Sequence, residues 1–387
     1  MSGLPRHYCI IVHAGAGSHH SSKEAQHVQS IQLALYAAQA ALASGADSLG
    51  ACVAAVACME NDPCCNAGYG SNLTEDGEVE CDAAVMDGSL PAYGACAAVS
   101  GVRNPVKLAE RLLFRQREQE RRPLDRIDPM LLVGAGARRW AKREFLETLP
   151  PSELVSEHAR TAWLRYIKLL RQEEASARGG SARSKRQRDP ECAEAANGLH
   201  DTHDTVGAVV CVGTCVASAV SSGGIWLKHS GRVGEAACFG AGCWAADATS
   251  HASPSRAGVG VSVSGVGEAV MTRLLAREVG AALAPPDVEC AQATSDLLRI
   301  ESASSPSVKR AVDRGCGFVA LRSVPSDGDG DGLPILTEWV AAHSTPSFAL
   351  GVMTHAHEEP FATVSRRDGG GPRVICASVP APVPAPL

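Results

Sequence analysis

Aromatic residues are scarce in this 387-residue sequence: five Trp, five Tyr and six Phe make up only 4% of it. Any core must therefore be closely packed from small side chains. Charge of one sign is missing too. A net charge of −6 with an isoelectric point near 6.1 gives no global nucleic-acid signature. No stretch is long and apolar enough for a membrane span. Near the N-terminus the apolar run Cys9-Ile10-Ile11-Val12 is too short for a signal peptide and stops at His13. No Cys/His grouping has zinc spacing, so Cys64-Cys65, His19-His20 and His355/His357 are read as incidental. Paired cysteines are not implied either. The 15 cysteines are odd in number and lie mostly in apolar runs (Cys52, Cys58, Cys96, Cys211), which points to free thiols in a reducing compartment. The Asn72-Leu73-Thr74 sequon is then silent.

What is present suits a globular protein: 45% hydrophobic and 20% charged residues, enough for a substantial core. Tyr8–Val12 reads as a strand entering the Gly-rich turn His13–Gly17, whose glycines lack dinucleotide-binding spacing. An Ala-rich helix is expected over Lys23–Ser44 with Ile31, Leu35, Ala38 and Leu42 on one face, stopped by Gly45. Asp47 or Ser48 caps a second helix through Met59. A glycine-dense loop follows, Cys65–Ser71, then strands around Glu78–Met86 and Tyr93–Val99. Asn104-Pro105 opens a helix to about Glu120, Leu131–Val133 is a short apolar piece, and Trp163–Leu170 is helical.

Between about Leu149 and His203 the character changes. Ser176–Gly198 is polar, with Arg183, Lys185, Arg186 and Arg188 clustered, and reads as a solvated linker; the cluster equally suits a nuclear-import signal. A hairpin over Thr205–Val210 and Cys215–Val220 comes next, then a strand Gly258–Ser264 and a helix Ala269–Leu283. A second hairpin, Gly317–Val324 with Leu333–Ala342, precedes strands near Ala349–Met353 and Phe361–Val364, and a loose Pro-rich tail begins at Val379. Runs of helices and hairpins in this order favour antiparallel sheets covered by helices over βαβ units. Asp327–Gly332 with Glu338 at the twelfth place matches a calcium-loop pattern. Pro325, Pro334 and strand-like flanks contradict the helices that such a loop needs, so an acidic hairpin loop is the better reading.

The run Asp204-Thr205-Val206-Gly207-Ala208-Val209-Val210 holds the chemistry. A hydroxyl residue opens an apolar strand directly after the polar linker. Cutting Asp204–Thr205 would give Thr205 both a hydroxyl nucleophile and a free α-amine, whose reference pKa of roughly 8 suits general base work. Acyl transfer there needs partners. Ser222, at the end of the neighbouring strand, supplies a second hydroxyl. Ser264 and Gly265, in a turn opening a helix, supply donors for an oxyanion, and Asn66 offers a side-chain amide of the same use. Lys228-His229-Ser230-Gly231-Arg232 supplies a cation for an acidic substrate.

In order, His13-Ala14-Gly15-Ala16-Gly17, Asn66-Ala67-Gly68-x-Gly70-Ser71, Asp82-Ala83-x-x-Met86-Asp87-Gly88, Thr205–Val209, Ser222-Gly223-Gly224, Gly231-Arg232-Val233-Gly234 and Gly265-x-Gly267-Glu268 resemble the plant-type asparaginase group of N-terminal nucleophile (Ntn) hydrolases. Within that group the sequence is most similar to the threonine aspartases (taspases), through Asp204 where asparaginases usually have Gly, Ser221-Ser222-Gly223-Gly224, and the long basic segment before the cut. The resemblance covers nearly the whole chain. It implies an α+β fold, a four-layer αββα sandwich, as a single domain over residues 1–387. It further implies autocleavage into an α subunit (residues 1–204) and a β subunit (residues 205–387), with αβ dimers pairing as a heterotetramer. The activity implied is an endopeptidase of nucleus and cytoplasm that cuts nuclear regulatory proteins after Asp. Carried over by position, Thr205 is the nucleophile, Ser222 the second hydroxyl, Ser264 and Gly265 the oxyanion turn, and Asn66 a residue of the active-site loop. Arg232 is the substrate-carboxylate anchor, with Gly15, Gly223 and Glu235 also at the substrate. No cofactor or metal is required, nor any membrane or direct nucleic-acid partner.

One position departs from the pattern. Asparaginases carry an Asp three residues after the Arg for the substrate's free ammonium, and the taspases an uncharged residue; here it is Glu235. Two further readings therefore stand beside the endopeptidase: a β-aspartyl peptidase/asparaginase of the same fold, and an uncut, non-enzymatic scaffold. The turn Val212-Gly213-Thr214 is also one residue shorter than in the group.

Overall fold

The structure, a computed structural model, describes residues 3–89, 92–118, 122–178, 205–249, 256–301, 315–325, 334–369 and 371–379. Asp204, the basic cluster at Arg183–Arg188 and the acidic run Asp327–Gly332 lie outside the described residues. Strands are numbered in chain order. In space the first sheet runs β12 (Phe361–Arg366), β11 (Ser347–Thr354), β1 (Tyr8–Gly17), β5 (Val206–Val212), β6 (Cys215–Ser222), β2 (Cys81–Asp87), β3 (Ala92–Val99) and β4 (Leu131–Val133). The second runs β13 (Arg373–Val379), β10 (Pro334–His343), β9 (Cys316–Pro325), β8 (Gly258–Gly265) and β7 (Cys243–Ala246). Apart from the parallel β3–β4 pair, the ladders are antiparallel.

Alternation along the central strands explains the layers. On β1, Ile10 and Val12 face one way and meet Ile31, Leu35, Ala38 and Leu42 of α1 (Glu24–Ala43) and residues of α2 (Ser48–Glu60). Cys9 and Ile11 face the other way and meet Val319 and Leu321 of β9. A strand apolar on both faces is a strand between two layers. The second sheet repeats this. Val259, Val261 and Val263 of β8 pack outward against Val279 and Leu283 of α7 (Leu275–Leu283) and Leu298 of α8 (Cys290–Glu301). The order is helix, sheet, sheet, helix: a four-layer αββα sandwich. A further cluster joins α3 (Pro105–Arg117), α4 (Gly134–Arg143) and α5 (Glu157–Arg178) to Cys96 of β3, with Leu108, Leu112, Ala137 and Tyr166 at its centre.

Local signals set most boundaries. Gly45, at φ 93°, follows α1, and the Asp47 side chain caps α2 by accepting from Gly50 N–H at 2.8 Å. Several expectations fail, each for a physical reason. His13–Gly17 is not a turn, because β1 runs through it. The register against β11 shifts between His13 and Ala16, and Gly15 at φ 101° absorbs the bulge. The helix expected over Ala269–Leu283 is two: α6 (Gly267–Arg273) ends at Leu274, held left-handed at φ 52°. A non-glycine cap of that kind leaves no mark on the hydrophobic period. The first residues of the expected linker, Ser176–Arg178, are the last turn of α5. Val379 closes β13 and is buried, where a loose tail was expected to begin. Strands flank Asp327–Gly332 on both sides, and Glu338 pairs with Arg322 at 2.7 Å across β9–β10. No helix of the described residues is long and apolar enough to cross a membrane.

Candidate active site

Strand parity places the candidate nucleophile. Val206, Ala208 and Val210 of β5 point to α1 and α2, whereas Val209 and Cys211 point between the sheets. Thr205, one residue before β5, shares the second phase and is 3% exposed. Period two acts likewise on the neighbours. On β6, Val220 faces inward, and Ser222 with it; on β2, Ala84 and Met86 face inward, and Asp82 with them, paired directly to Ser222. On β8 the valines face the outer helices, which leaves Ser262 and Ser264 facing the first sheet.

At this junction Thr205 Oγ1 lies 3.0 Å from Ser222 Oγ and donates at 2.9 Å to Glu235 Oε1. Ser222 Oγ also accepts from Gly224 N–H at 3.0 Å, which fixes the turn after β6. Ser221, one residue earlier, points the opposite way and donates to the buried Glu60 of α2 at 2.7 Å. Thr205, Ser222, Arg232, Glu235, Asn66 and Gly265 line one cavity of about 10 Å³, room for a single water at most. The site is thus nearly filled by its own side chains.

Three of the sequence candidates are held by bonds that the sequence did not indicate. Arg232 is gripped by Glu268 of α6, Nε to Oε1 at 3.0 Å and Nη2 to Oε2 at 2.9 Å. The Asn66 amide donates to the Gly224 carbonyl at 2.8 Å while its oxygen accepts from Asn72 N–H at 2.8 Å, so it braces the loop against the turn. Ser264 Oγ accepts from Ala16 N–H at 2.9 Å and does not line the cavity, whereas the next residue, Gly265, does. Gly223 is required by crowding: a Cβ there would stand 2.3 Å from Asn66 Oδ1 and 2.6 Å from Ser71 Cβ. Gly15, in the bulge of β1, comes at the end of the ladder where Ala14 pairs with Val206, beside Thr205.

Burial sets the electrostatics. It pushes the Glu235 carboxyl up to about 7, with Arg232 opposing, so this side chain changes charge near neutral pH. His13 is driven down to about 3 by burial, stays neutral, and bonds Ser262 Oγ at 2.8 Å. Under the turn, burial lowers the Lys228 pKa and raises that of Asp82, each charge supporting the other. Lys228 Nζ donates to the carbonyls of Gly223, at 2.6 Å, and Glu80. Asp82 accepts from Ala98 N–H at 2.8 Å and Gly234 N–H at 2.7 Å. The functional neighbours that sequence reasoning missed are Glu268, Lys228 as a buried brace, Asp82 and His13. All four stand inside or beside recognised blocks, but their partners are more than 30 residues away or in backbone. Among the described residues no group of His, Cys, Asp or Glu could hold a metal ion.

Comparison with known proteins agrees with this geometry. The family model described as asparaginase matches residues 6–323. An isoaspartyl peptidase/L-asparaginase of Xenopus laevis is 33% identical over 272 residues, 69% of this chain and 73% of that protein. The mouse protein of the same name is 32% identical over 271 residues, 69% and 70% of the two chains. A plant-type L-asparaginase of Pyrobaculum calidifontis is 30% identical over 346 residues, 88% of this chain and 95% of that one. On the family match, and on a fold that brings the Thr205 and Ser222 hydroxyls together between two sheets, the chain belongs to the asparaginase family of Ntn hydrolases.

Proposed function

We propose that the chain is a threonine-nucleophile hydrolase that matures by cutting Asp204–Thr205 and then cuts protein substrates after Asp, as the taspases do. The carrying observation is that Asp204 directly precedes Thr205 in the sequence, and that Thr205 is buried at a cavity which Arg232 also lines. An aspartyl group is then the first acyl group that the site handles. In the mature form the Thr205 α-amine takes the hydroxyl proton, and Oγ1 adds to the scissile carbonyl. N–H groups at Gly265 receive the oxyanion, and Arg232 pairs with the aspartyl carboxylate once Glu268 releases it. Water then hydrolyses the acyl-enzyme. A cavity of about 380 Å³, lined by Lys23, His27, His158, Arg165 and Trp226, shares Asn66 with the small one and supplies room for a polypeptide substrate.

A second reading, β-aspartyl peptidase/asparaginase, is favoured by the names of the relatives and by the Arg232–Glu235 pair, a cation and an anion that suit a free amino acid's two charges. On the comparisons alone it has the better support. Against it, Glu235 is taken up by the Thr205 hydroxyl. Incubating the purified protein with isoaspartyl dipeptides and, separately, with an Asp-containing protein loop divides the two. Cleavage of the loop with no dipeptide turnover supports the first reading; the reverse overturns it. On the first reading, αβ dimers pair in solution and the cluster at Arg183, Lys185, Arg186 and Arg188 directs nuclear entry. An unchanged cellular distribution after neutralising the cluster would remove that part.

A further inference from the structure

Maturation poses a problem that the mature mechanism does not solve. Before the cut, the nitrogen of Thr205 is an amide, without the basicity of an amine, so some other group must take the hydroxyl proton. We propose that Glu235 is the general base for self-cleavage of Asp204–Thr205, an inference that rests on the maturation reading above.

The geometry carries it. Glu235 Oε1 accepts from Thr205 Oγ1 at 2.9 Å, inside the range that direct proton transfer needs. Both residues are 3% exposed, so bulk water does not compete for the proton. The other basic groups nearby are committed elsewhere. His13 bonds Ser262 through Nε2 and is made too weak a base by burial, which drives it down to about 3, and Lys228 is spent on the carbonyls of Gly223 and Glu80. Ser222 is a hydroxyl and no stronger a base than Thr205. A short helical turn, Glu235–Ala237, fixes the carboxylate where it is.

The step balances. Glu235 takes the Thr205 Oγ proton as Oγ bonds to the Asp204 carbonyl carbon, giving a tetrahedral oxyanion. On collapse the C–N bond breaks, and the leaving nitrogen receives the same proton from Glu235. The result is an Asp204 ester on Thr205 Oγ and a free α-amine. That amine then assists water in hydrolysing the ester to the Asp204 carboxylate and the Thr205 hydroxyl. Glu235 ends as it began. The charged and titratable groups of the elements packed on its turn are Arg232 before it, Cys238 after it, Cys81, Asp82 and Asp87 of β2, Tyr93 and Cys96 of β3, Cys215 of β6, and Glu268 and Arg273 of α6. Burial raises its pKa to about 7, Arg232 lowers it and Asp82 raises it, which leaves a base matched to neutral pH. Chains with an uncharged residue here must recruit another base, so Glu235 gives this one a maturation that pH controls.

The test is the rate at which full-length chain converts to two pieces on a gel, between pH 5 and pH 9. In wild type the rate is expected to rise with pH and level off above about 7. Glu235→Gln, which keeps shape and hydrogen bonding, should be at least ~100-fold slower at pH 8 and flat with pH. Glu235→Asp keeps a carboxylate on a shorter arm and should be slowed while retaining the rise. A merely structural role would lower the rate at every pH without flattening the profile. Equal rates and profiles in wild type and Glu235→Gln overturn the inference, as does a Glu235→Asp chain as flat as Glu235→Gln. Wild type that never converts overturns the maturation reading itself.

Discussion

Arg232 and Glu268 form a two-point ion pair, at 3.0 and 2.9 Å, on the wall of the cavity that Thr205 faces. Paired charge-assisted bonds of this geometry are strong and directional. A substrate carboxylate that binds Arg232 must therefore displace one already there. Glu268 is 39% exposed and Arg232 only 13%, so the carboxylate is the more solvent-facing partner of the two.

Removing the competitor should tighten substrate binding. Glu268→Gln is expected to lower KM for aspartyl substrates several-fold with kcat little changed. Arg232→Ala should lower kcat/KM by ~100-fold or more, the worth of a hydrogen-bonded charge pair. Steady-state kinetics on one aspartyl substrate measures both. A raised KM in Glu268→Gln would show that the pair serves the fold and does not guard the anchor.

Asn66 ties the glycine loop to the turn after β6 through the Gly224 carbonyl and the Asn72 N–H. Asn66→Ala leaves the Asn72 N–H unpaired, while the Gly224 carbonyl keeps its bond from the Asn72 side chain at 2.8 Å, and should cost about 1–3 kcal/mol of stability. It should also slow turnover, because Ser222 is positioned by the same turn. Denaturant unfolding of the variant on a Thr205→Ala background, which is expected to stay in one piece, isolates the first effect.

The fold was legible wherever apolar periodicity and glycine punctuation agree. The α1 face, the β5–β6 hairpin and the Asp47 cap follow from both. The site was legible as ordered blocks, since Thr205, Ser222 and Arg232 each stand in one and Glu235 directly follows one. What the sequence could not convey was pairing across distance. Arg232 with Glu268, Thr205 with Glu235 and Ser264 with Ala16 depend on how two sheets face each other, and no local pattern encodes that. Leu274 and β13 escaped notice for a different reason: tertiary packing overrode local propensity.

Glu60 gives a pH test of the interior. Burial raises its carboxyl from 4.5 to about 7, against bonds from Ser221 and Val106. The native state then holds more protons than the unfolded chain between these values. Its contribution to stability is full below pH 4.5 and is lost as pH rises through about 7. For a fully buried group this amounts to at most about 3 kcal/mol. Unfolding free energies from pH 4.5 to pH 8 should fall more steeply for Glu60 than for Glu60→Gln, again on the Thr205→Ala background. Parallel curves would contradict the assignment.

The most direct measurement of the central claim, that Thr205 becomes an N-terminal nucleophile, is a denaturing gel with N-terminal sequencing. Wild type is expected to give two pieces, residues 1–204 and 205–387, the second beginning Thr-Val-Gly-Ala. Thr205→Ala should run as one intact chain of 40.2 kDa. A wild-type chain that stays whole and is indistinguishable from Thr205→Ala would contradict the account.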